Sequence, residues 1–200
     1  MKKLIYFTLT LFLLAACSNE DNPTSSPEET DTYELSSIQY YIGDSNDGVQ
    51  ITETKYPDQI TENQGSDILQ KTTNDYEGVN ETSCFMSNEV FPYKLSPKTY
   101  LVTVPTNLTE TPTSCIGNSK WTFDPSNHDT ESLPTVRKQS STTEIPPLHR
   151  LVYQKTIKFT ELKATYIATF IGKKTGHSVE IKGKWKGVFV HSMSTKEILQ

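Results

Sequence analysis

The residues that could carry acid–base or metal chemistry are scattered along the chain. The four histidines are His128, His149, His177 and His191. None of them has a second ligand at the spacing that a zinc site uses. The loop GDSNDG at 43–48 is rich in Asp and Asn, but no glutamate closes it in the register of a calcium-binding loop, so it predicts a turn. The chain also lacks a Gly-x-Ser-x-Gly elbow, a phosphate-binding glycine loop and an HExxH helix. The sequence therefore predicts no catalytic residue, no metal site and no cofactor.

Cysteine is the residue type with the clearest chemistry. A basic start at Lys2 and Lys3 precedes an apolar run of residues 4–16, which is too short to cross a bilayer and is typical of a signal peptide. The run ends in Leu14-Ala15-Ala16-Cys17, which resembles the lipobox of bacterial lipoproteins. That resemblance implies that the sulfur of Cys17 carries diacylglycerol and that residues 1–16 are removed.

The residues after Cys17 bear on the cellular localisation of the protein. Ser18 stands where an aspartate would favour retention in the inner membrane, so the lipoprotein resemblance implies the outer membrane of a Gram-negative bacterium. The stretch 18–21, SNED, is similar to an acidic tag for export to the outer surface, with a plain solvated spacer as the alternative. Residues 18–32 contain no large apolar residue, so 17–32 is predicted to be a lipidated cysteine on a disordered acidic tether.

Two further cysteines, Cys84 and Cys115, remain in what is then an exported protein. Thiols outside the cytoplasm tend to be oxidised, and this is the one pair left, so we expect a disulfide between them. Closing a loop of that length contributes on the order of 3–4 kcal/mol. The alternative is two free, buried thiols.

The remaining 168 residues, 33–200, have the size of one domain. Hydrophobic residues make up 34% of the whole chain, and Ser, Thr, Tyr, Val and Ile dominate after residue 33, which favours strands over helices. We predict an all-β fold with a single antiparallel domain, either a sandwich or an elongated sheet. Residues 37–42 and 49–54 are predicted strands, and Gly172 to Gly176 is a predicted hairpin turn.

The stretch 178–190, SVEIKGKWKGVFV, alternates between apolar and polar residues. On one face of a strand it places Val179, Ile181, Trp185 and Phe189, with Gly183 and Gly187 between them to leave room for large neighbouring rings. On the other face it places Glu180, Lys182, Lys184 and Lys186. An ordinary sheet would bury Trp185 and expose the lysines. A membrane strand is the alternative, so Lys182, Lys184, Trp185 and Lys186 are the candidate membrane or binding face.

Residues 140–147, SSTTEIPP, and the alternating strands after them are similar to the end of the pore-forming module in aerolysin-like toxins. In that family, the epsilon-toxin and mosquitocidal-toxin group, a Ser/Thr-rich stretch runs into a Val/Ile-Pro-Pro step before long strands. The resemblance covers residues 140–190 and implies an elongated antiparallel sheet. Where the family has its inserting hairpin, this chain has four prolines, at positions 105, 112, 125 and 134.

Charge excludes one class of partner. Residues 151–200 hold nine Lys and three Glu, a net of +6, whereas residues 17–150 hold eight basic and 21 acidic residues, a net of −13. An acidic chain without an aromatic–basic RNA motif predicts no nucleic-acid partner. We expect a non-enzymatic, outer-membrane-anchored lipoprotein that binds or scaffolds at the cell surface, with the membrane and a surface ligand or protein as partners. An aerolysin-like pore-forming protein is the alternative, followed by an envelope hydrolase without a recognisable motif.

Overall fold

The fold was analysed on a computed structural model, which describes residues 31–87, 89–115 and 119–200. All of the regular elements in these ranges are strands, so the predicted all-β class is confirmed. Within the same ranges, no helix has the length and apolar character of a membrane span. In chain order the strands are β1 Thr32–Tyr41, β2 Gly48–Lys55, β3 Gln59–Glu62, β4 Leu69–Asn74, β5 Asn80–Ser87, β6 Lys94–Leu95, β7 Tyr100–Thr103, β8 Lys120–Phe123, β9 Thr130–Pro134, β10 Ser140–Ile145, β11 Arg150–Gly172 and β12 Ser178–Leu199.

Two very long strands form the axis of the molecule. β11 has 23 residues and β12 has 22, and they pair antiparallel from Leu151 opposite Leu199 to Ile171 opposite Ser178. At about 3.3 Å per residue this ladder is about 70 Å long. The strands join at the predicted glycine-bounded turn, where Gly176 has a φ of +69°. That positive φ favours glycine, since a side chain is strained there.

The other strands add to the two sides of this pair. β1, β2 and β3 pair one after another with β11, so β1 and β2 do not form a hairpin with each other. β5 pairs with β12, and β9 pairs with β5. Two further pairs, β4 with β10 and β7 with β8, stand apart from the main sheet. The strands predicted at 37–42 and 49–54 are therefore confirmed as β1 and β2.

The face of the sheet that is buried in a core changes halfway along β11. Near its start the odd-numbered Leu151, Tyr153 and Ile157 are buried. Near its end the even-numbered Leu162 and Tyr166 are buried, together with Ala164, Ala168 and Phe170. Because successive strand residues point to opposite sides, the two halves of β11 pack their cores on opposite faces of one sheet. We call residues 160–189 the head and residues 150–159 with 190–199 the tail.

β12 contains a bulge near the place where the two cores meet. Phe159 pairs with Val190, whereas the preceding Lys158 pairs with Ser192, so β12 contains one extra residue. Before the bulge, ordinary alternation already puts Trp185 on the head core and Val190 on the tail core. The extra residue, His191, lets Met193 face the tail core together with Val190, although the two positions differ by an odd number.

The head core is aromatic. Its buried rings are Tyr33, Tyr40, Phe85, Phe91, Trp121, Phe123, Tyr166, Phe170 and Trp185. Phe85 lies 5.0 Å from Phe123 and 5.7 Å from Tyr166 between ring centroids. A Cβ on Gly183 would come within 2.5 Å of the Tyr166 hydroxyl, so the missing side chain at Gly183 leaves room for the Tyr166 ring. This confirms the predicted role of Gly183 beside a neighbouring ring.

The tail core is small. Val79, Ile157 and Val190 are buried in it, with the partly buried Tyr56, Tyr76, Phe159 and Met193 around them. Val79 and Tyr76 come from residues 75–79, which connect β4 to β5; we call this segment the strap. The β4–β10 pair, which we call the ribbon, lies on the same face, because Glu197 of β12 accepts hydrogen bonds from Ser141 and Thr143 of β10.

Asp31 and Thr32, which the sequence assigned to the tether, are part of the folded structure. The carboxylate of Asp31 is buried and accepts hydrogen bonds from the backbone N–H of Lys174 at 3.1 Å and of Thr175 at 3.0 Å. The Thr175 hydroxyl donates a further bond of 2.6 Å. Asp31 therefore holds the β11–β12 turn, and Thr32 already belongs to β1. The sequence pattern placed Asp31 and Thr32 in the tether because neither residue has a large apolar side chain.

Candidate functional site

The outer face of the head carries the predicted lysines, and Lys184 is their centre. Its Nζ lies 2.7 Å from the carboxylate of Asp44 and 2.8 Å from that of Asp47, and donates to Thr165 Oγ1 at 2.6 Å. Both aspartates belong to the loop at 43–48, which connects two strands that pair with β11. The loop predicted to be a turn is thus fixed to the sheet by one ammonium group.

Burial and pairing compete at this site. Burial disfavours the charged form of Lys184, yet its hydrogen bonds to Asp44 and Asp47 outweigh that effect and raise the pKa of the ammonium above its ordinary value. Burial likewise opposes ionisation of Asp47, whose side chain is 2% exposed. Hydrogen bonds from Lys184, Thr165 and the Gly43 N–H prevail, so the pKa of the Asp47 carboxyl is lowered. The network is therefore ionised at neutral pH.

The four predicted face residues are divided between two faces. Trp185 is buried in the head core, where its indole N–H donates to Ser83 Oγ at 2.9 Å. Lys182 is exposed on the opposite face, as predicted. Lys184 and Lys186 are only half exposed, and Lys186 pairs with Glu161 at 3.0 Å. Lys184 and Lys186 are therefore paired with carboxylates that lie far away in sequence.

The expected disulfide is not present, because Cys84 and Cys115 are free thiols in this structure. On β5 the neighbouring Phe85 points into the head core, so Cys84 points to the other side of the sheet and donates to the His128 carbonyl at 3.3 Å. Cys115 packs against the head core, and burial raises the pKa of its thiol. The two sulfurs thus lie on opposite sides of β5. Cys17, the predicted lipidation site, lies outside the described residues.

The strap covers two buried ionisable groups in the tail, one of its own and one of β11. Asp75 is buried and accepts a hydrogen bond of 2.7 Å from the Tyr153 hydroxyl. Lys155, also buried, donates to the Glu77 carbonyl at 3.1 Å, and its Nζ lies 4.6 Å from the centroid of the Tyr56 ring. Burial lowers the pKa of Lys155 and raises that of Tyr153. These contacts fix the strap over the tail core.

Sequence reasoning missed this cluster, although one signal was present. Lys155 occupies the register of Tyr153 and Ile157, where the alternation expects an apolar side chain. A charged residue at an apolar position indicates a buried partner. Asp75 has no such signal, since it stands in a turn-like stretch where aspartate is common.

Within the described residues, no three His, Cys, Asp or Glu side chains come together as they would around a metal ion. The carboxylates of Asp44 and Asp47, which do lie together, are paired with the ammonium of Lys184.

Comparison with known proteins gives structural similarity alone. No protein-family model matches the chain, and a search of curated proteins returns no match. Among solved structures, the lamprey immune protein is similar at 12% identity and a TM-score of 0.45, over 86% of this chain and 54% of that protein. This chain thus spans about half the length of the lamprey protein.

Two bacterial proteins are similar as well. The parasporin-2 toxin of Bacillus thuringiensis, described as recognising cancer cells, has 16% identity and a TM-score of 0.40, over 84% of this chain and 73% of the toxin. The Mpp75Aa1.1 β-pore-forming protein of Brevibacillus laterosporus has 12% identity and a TM-score of 0.34, over 82% of this chain and 68% of that protein. Because every one of these TM-scores lies below 0.5, no residue of this chain takes its role from them.

Proposed function

We propose that this chain is a non-enzymatic, membrane-perturbing β-protein of elongated, aerolysin-like architecture, attached to the outer membrane of a Gram-negative bacterium through Cys17. The observation that carries the proposal is the length of the β11–β12 hairpin. Strands in globular proteins usually have 3–10 residues, and a transmembrane strand needs about 9–11. The head core uses residues 160–189 of this hairpin, and the ten residues of each strand that continue into the tail match the length of a transmembrane strand.

The construction of the tail supports the same proposal. Its apolar side is covered by the strap and the ribbon, and a two-stranded ribbon has little stability of its own. They are held to the sheet by polar contacts at Asp75, Lys155 and Glu197, and they bury two apolar side chains, Val79 and Ile145. A cover with so few buried apolar side chains separates from a sheet at lower cost than an extensive apolar layer does.

A second candidate, a rigid stalk that binds or scaffolds at the cell surface, is favoured by Lys155. This lysine lies in the middle of the apolar face of the tail. On the lipid side of a membrane strand, a lysine at the bilayer midplane costs about 2–4 kcal/mol. A stalk carries no such cost, because Lys155 stays under the strap.

Release of a self-quenched dye from phosphatidylcholine vesicles separates the two candidates. The protein is the chain from residue 17 onward with Cys17→Ser, so that it carries no lipid, and it is compared with Lys155→Met. The membrane proposal expects release by the parent protein and more release by Lys155→Met, since a charge has been removed from the apolar face. A stalk releases no dye in either form, and that result would refute the proposal.

A further inference from the structure

The far end of the tail concentrates exposed aliphatic side chains. This end, which we call the tail tip, consists of the loops 63–68 and 146–149 with the strand ends beside them. Its exposed aliphatic residues are Ile60, Ile68, Leu69, Leu148 and Leu199. Elsewhere in the described chain, exposed aliphatics occur singly or, as Val49 and Ile51 on β2, as a pair, so the tip is the region to explain.

One buried side chain holds the two loops together. Asn63 donates from Nδ2 to the Asp67 carbonyl at 2.7 Å and to the Ile145 carbonyl at 2.8 Å. The backbone carbonyl of Asn63 accepts a hydrogen bond from the Leu148 N–H at 2.9 Å. The apolar residues of the tip therefore project from a fixed platform.

Leu148 shows the most pronounced exposure at the tip. It is 87% exposed and has a φ of +63°, a left-handed conformation in which a side chain other than glycine is strained. It follows Pro146 and Pro147, and the turn directs an apolar side chain into solvent with no contribution to either core. Strain and exposure at one residue indicate a role in binding.

The chemistry of the tip fits lipid better than protein. Its exposed apolar residues are all Leu or Ile, whereas protein interfaces depend on Trp, Tyr and Arg anchors set in pockets. The charged residues of the loops and adjoining strand ends are Glu62, Asp67, Lys71, Glu144 and Arg150. Three carboxylates against two cations make the tip slightly acidic, which favours a zwitterionic surface over an anionic one.

The tail tip lies at the end of the domain opposite to the end that joins the tether. The chain outside the structure joins the domain at Asp31, which is bonded to the β11–β12 turn at the head end. The tail tip lies at the opposite end of a ladder about 70 Å long. An anchor at Cys17 would therefore hold the head towards its own membrane and leave the tip pointing away.

We propose that the tail tip is a docking surface for a zwitterionic lipid membrane, with Leu148 and Ile68 as the side chains that enter it. This inference rests on the proposed function and specifies where the protein meets its target.

Flotation with phosphatidylcholine vesicles tests it, using the chain from residue 17 onward with Cys17→Ser. The test variant combines Leu148→Gly with Ile68→Ser. Glycine at 148 relieves the strained φ, so the variant should unfold in urea at a midpoint no lower than that of the parent. We expect its vesicle partition coefficient to fall at least tenfold, since two aliphatic side chains no longer leave water. Val136→Ser, which removes an equally exposed aliphatic away from the tip, should leave partitioning unchanged.

Several results would overturn the docking surface. Equal vesicle binding by parent and double variant would do so, as would binding that requires anionic lipid. A parent dimer that the double variant converts into a monomer would assign the tip to a second copy of the chain. Dye release measured on the same samples keeps the two proposals apart. Tip-dependent binding without release refutes the membrane-perturbing function alone, and release with tip-independent binding refutes the tip alone.

Discussion

Trp185 shows how one residue position is specified by sequence and by its neighbours. Its ring lies 5.6 Å from Tyr40 and 6.1 Å from Phe189, and the indole N–H reaches Ser83. A Cβ on Gly187 would lie 2.4 Å from the Trp185 ring, so that glycine leaves room for the indole.

Replacing Trp185 by alanine should therefore lower the free energy of unfolding by roughly 3–5 kcal/mol, as for other large core aromatics. Urea denaturation followed by far-UV circular dichroism measures this. Trp185→Phe, which keeps a ring but not the hydrogen bond to Ser83, should lie between the parent and the alanine variant. A nearly neutral Trp185→Ala would show that the indole is not part of the head core.

Lys184 and Lys182 form a matched pair on the opposite face of β12. Lys184→Ser leaves Asp47 buried without its cation and should cost about 2 kcal/mol, between the values for exposed and buried ion pairs. Lys182→Ser should stay within about 0.5 kcal/mol, because Lys182 is exposed. Urea unfolding of the two variants checks the difference, and equal effects would argue against the Lys184 network.

At the scale of elements, the β11–β12 turn depends on the carboxylate of Asp31. Its hydrogen bond from the Thr175 hydroxyl is the largest cause of a pKa lowered from 3.8 to about 2, and backbone N–H groups add to it. Because the folded pKa is lower than the unfolded one, ionised Asp31 stabilises the fold above about pH 4. That stability is lost as the pH falls from about 4 to 2.

Asp31→Asn should accordingly remove this part of the acid sensitivity. We expect the thermal midpoint of the parent to fall more steeply between pH 4 and pH 2 than that of Asp31→Asn. At pH 7 the parent should be the more stable of the two. Parallel slopes for the two proteins across this window would contradict the account of the turn.

The elements also show what the sequence could and could not predict. Strict alternation gave the burial of Trp185, the strands β1 and β2 and the hairpin turn, because alternation is a local property of a half-buried strand. Alternation does not predict which strands pair with each other. β1 and β2 both pair with β11, and this pairing depends on long-range packing. The partners of Lys184 and Tyr153 were hidden for the same reason, as Asp44, Asp47 and Asp75 are distant in sequence and stand in turns.

At the scale of the whole molecule, one sheet serves two cores on opposite faces. The head core is large and aromatic, whereas the tail core is small and covered by the strap and the ribbon. Cooperative stability should therefore reside in the head, and the tail should open at lower free energy. Native-state hydrogen exchange would test this, with slow exchange expected for β11 in the head and faster exchange for the ribbon strands β4 and β10.

The central claim, that this elongated β-protein perturbs membranes, is tested most directly by size-graded release from phosphatidylcholine vesicles. Vesicles loaded with both a small dye and a large dextran are mixed with the chain from residue 17 onward carrying Cys17→Ser. The account predicts release of the dye and retention of the dextran, as for a defect of limited diameter. Retention of both solutes at protein concentrations that bind the vesicles would contradict it and would leave the rigid stalk as the function of the long hairpin.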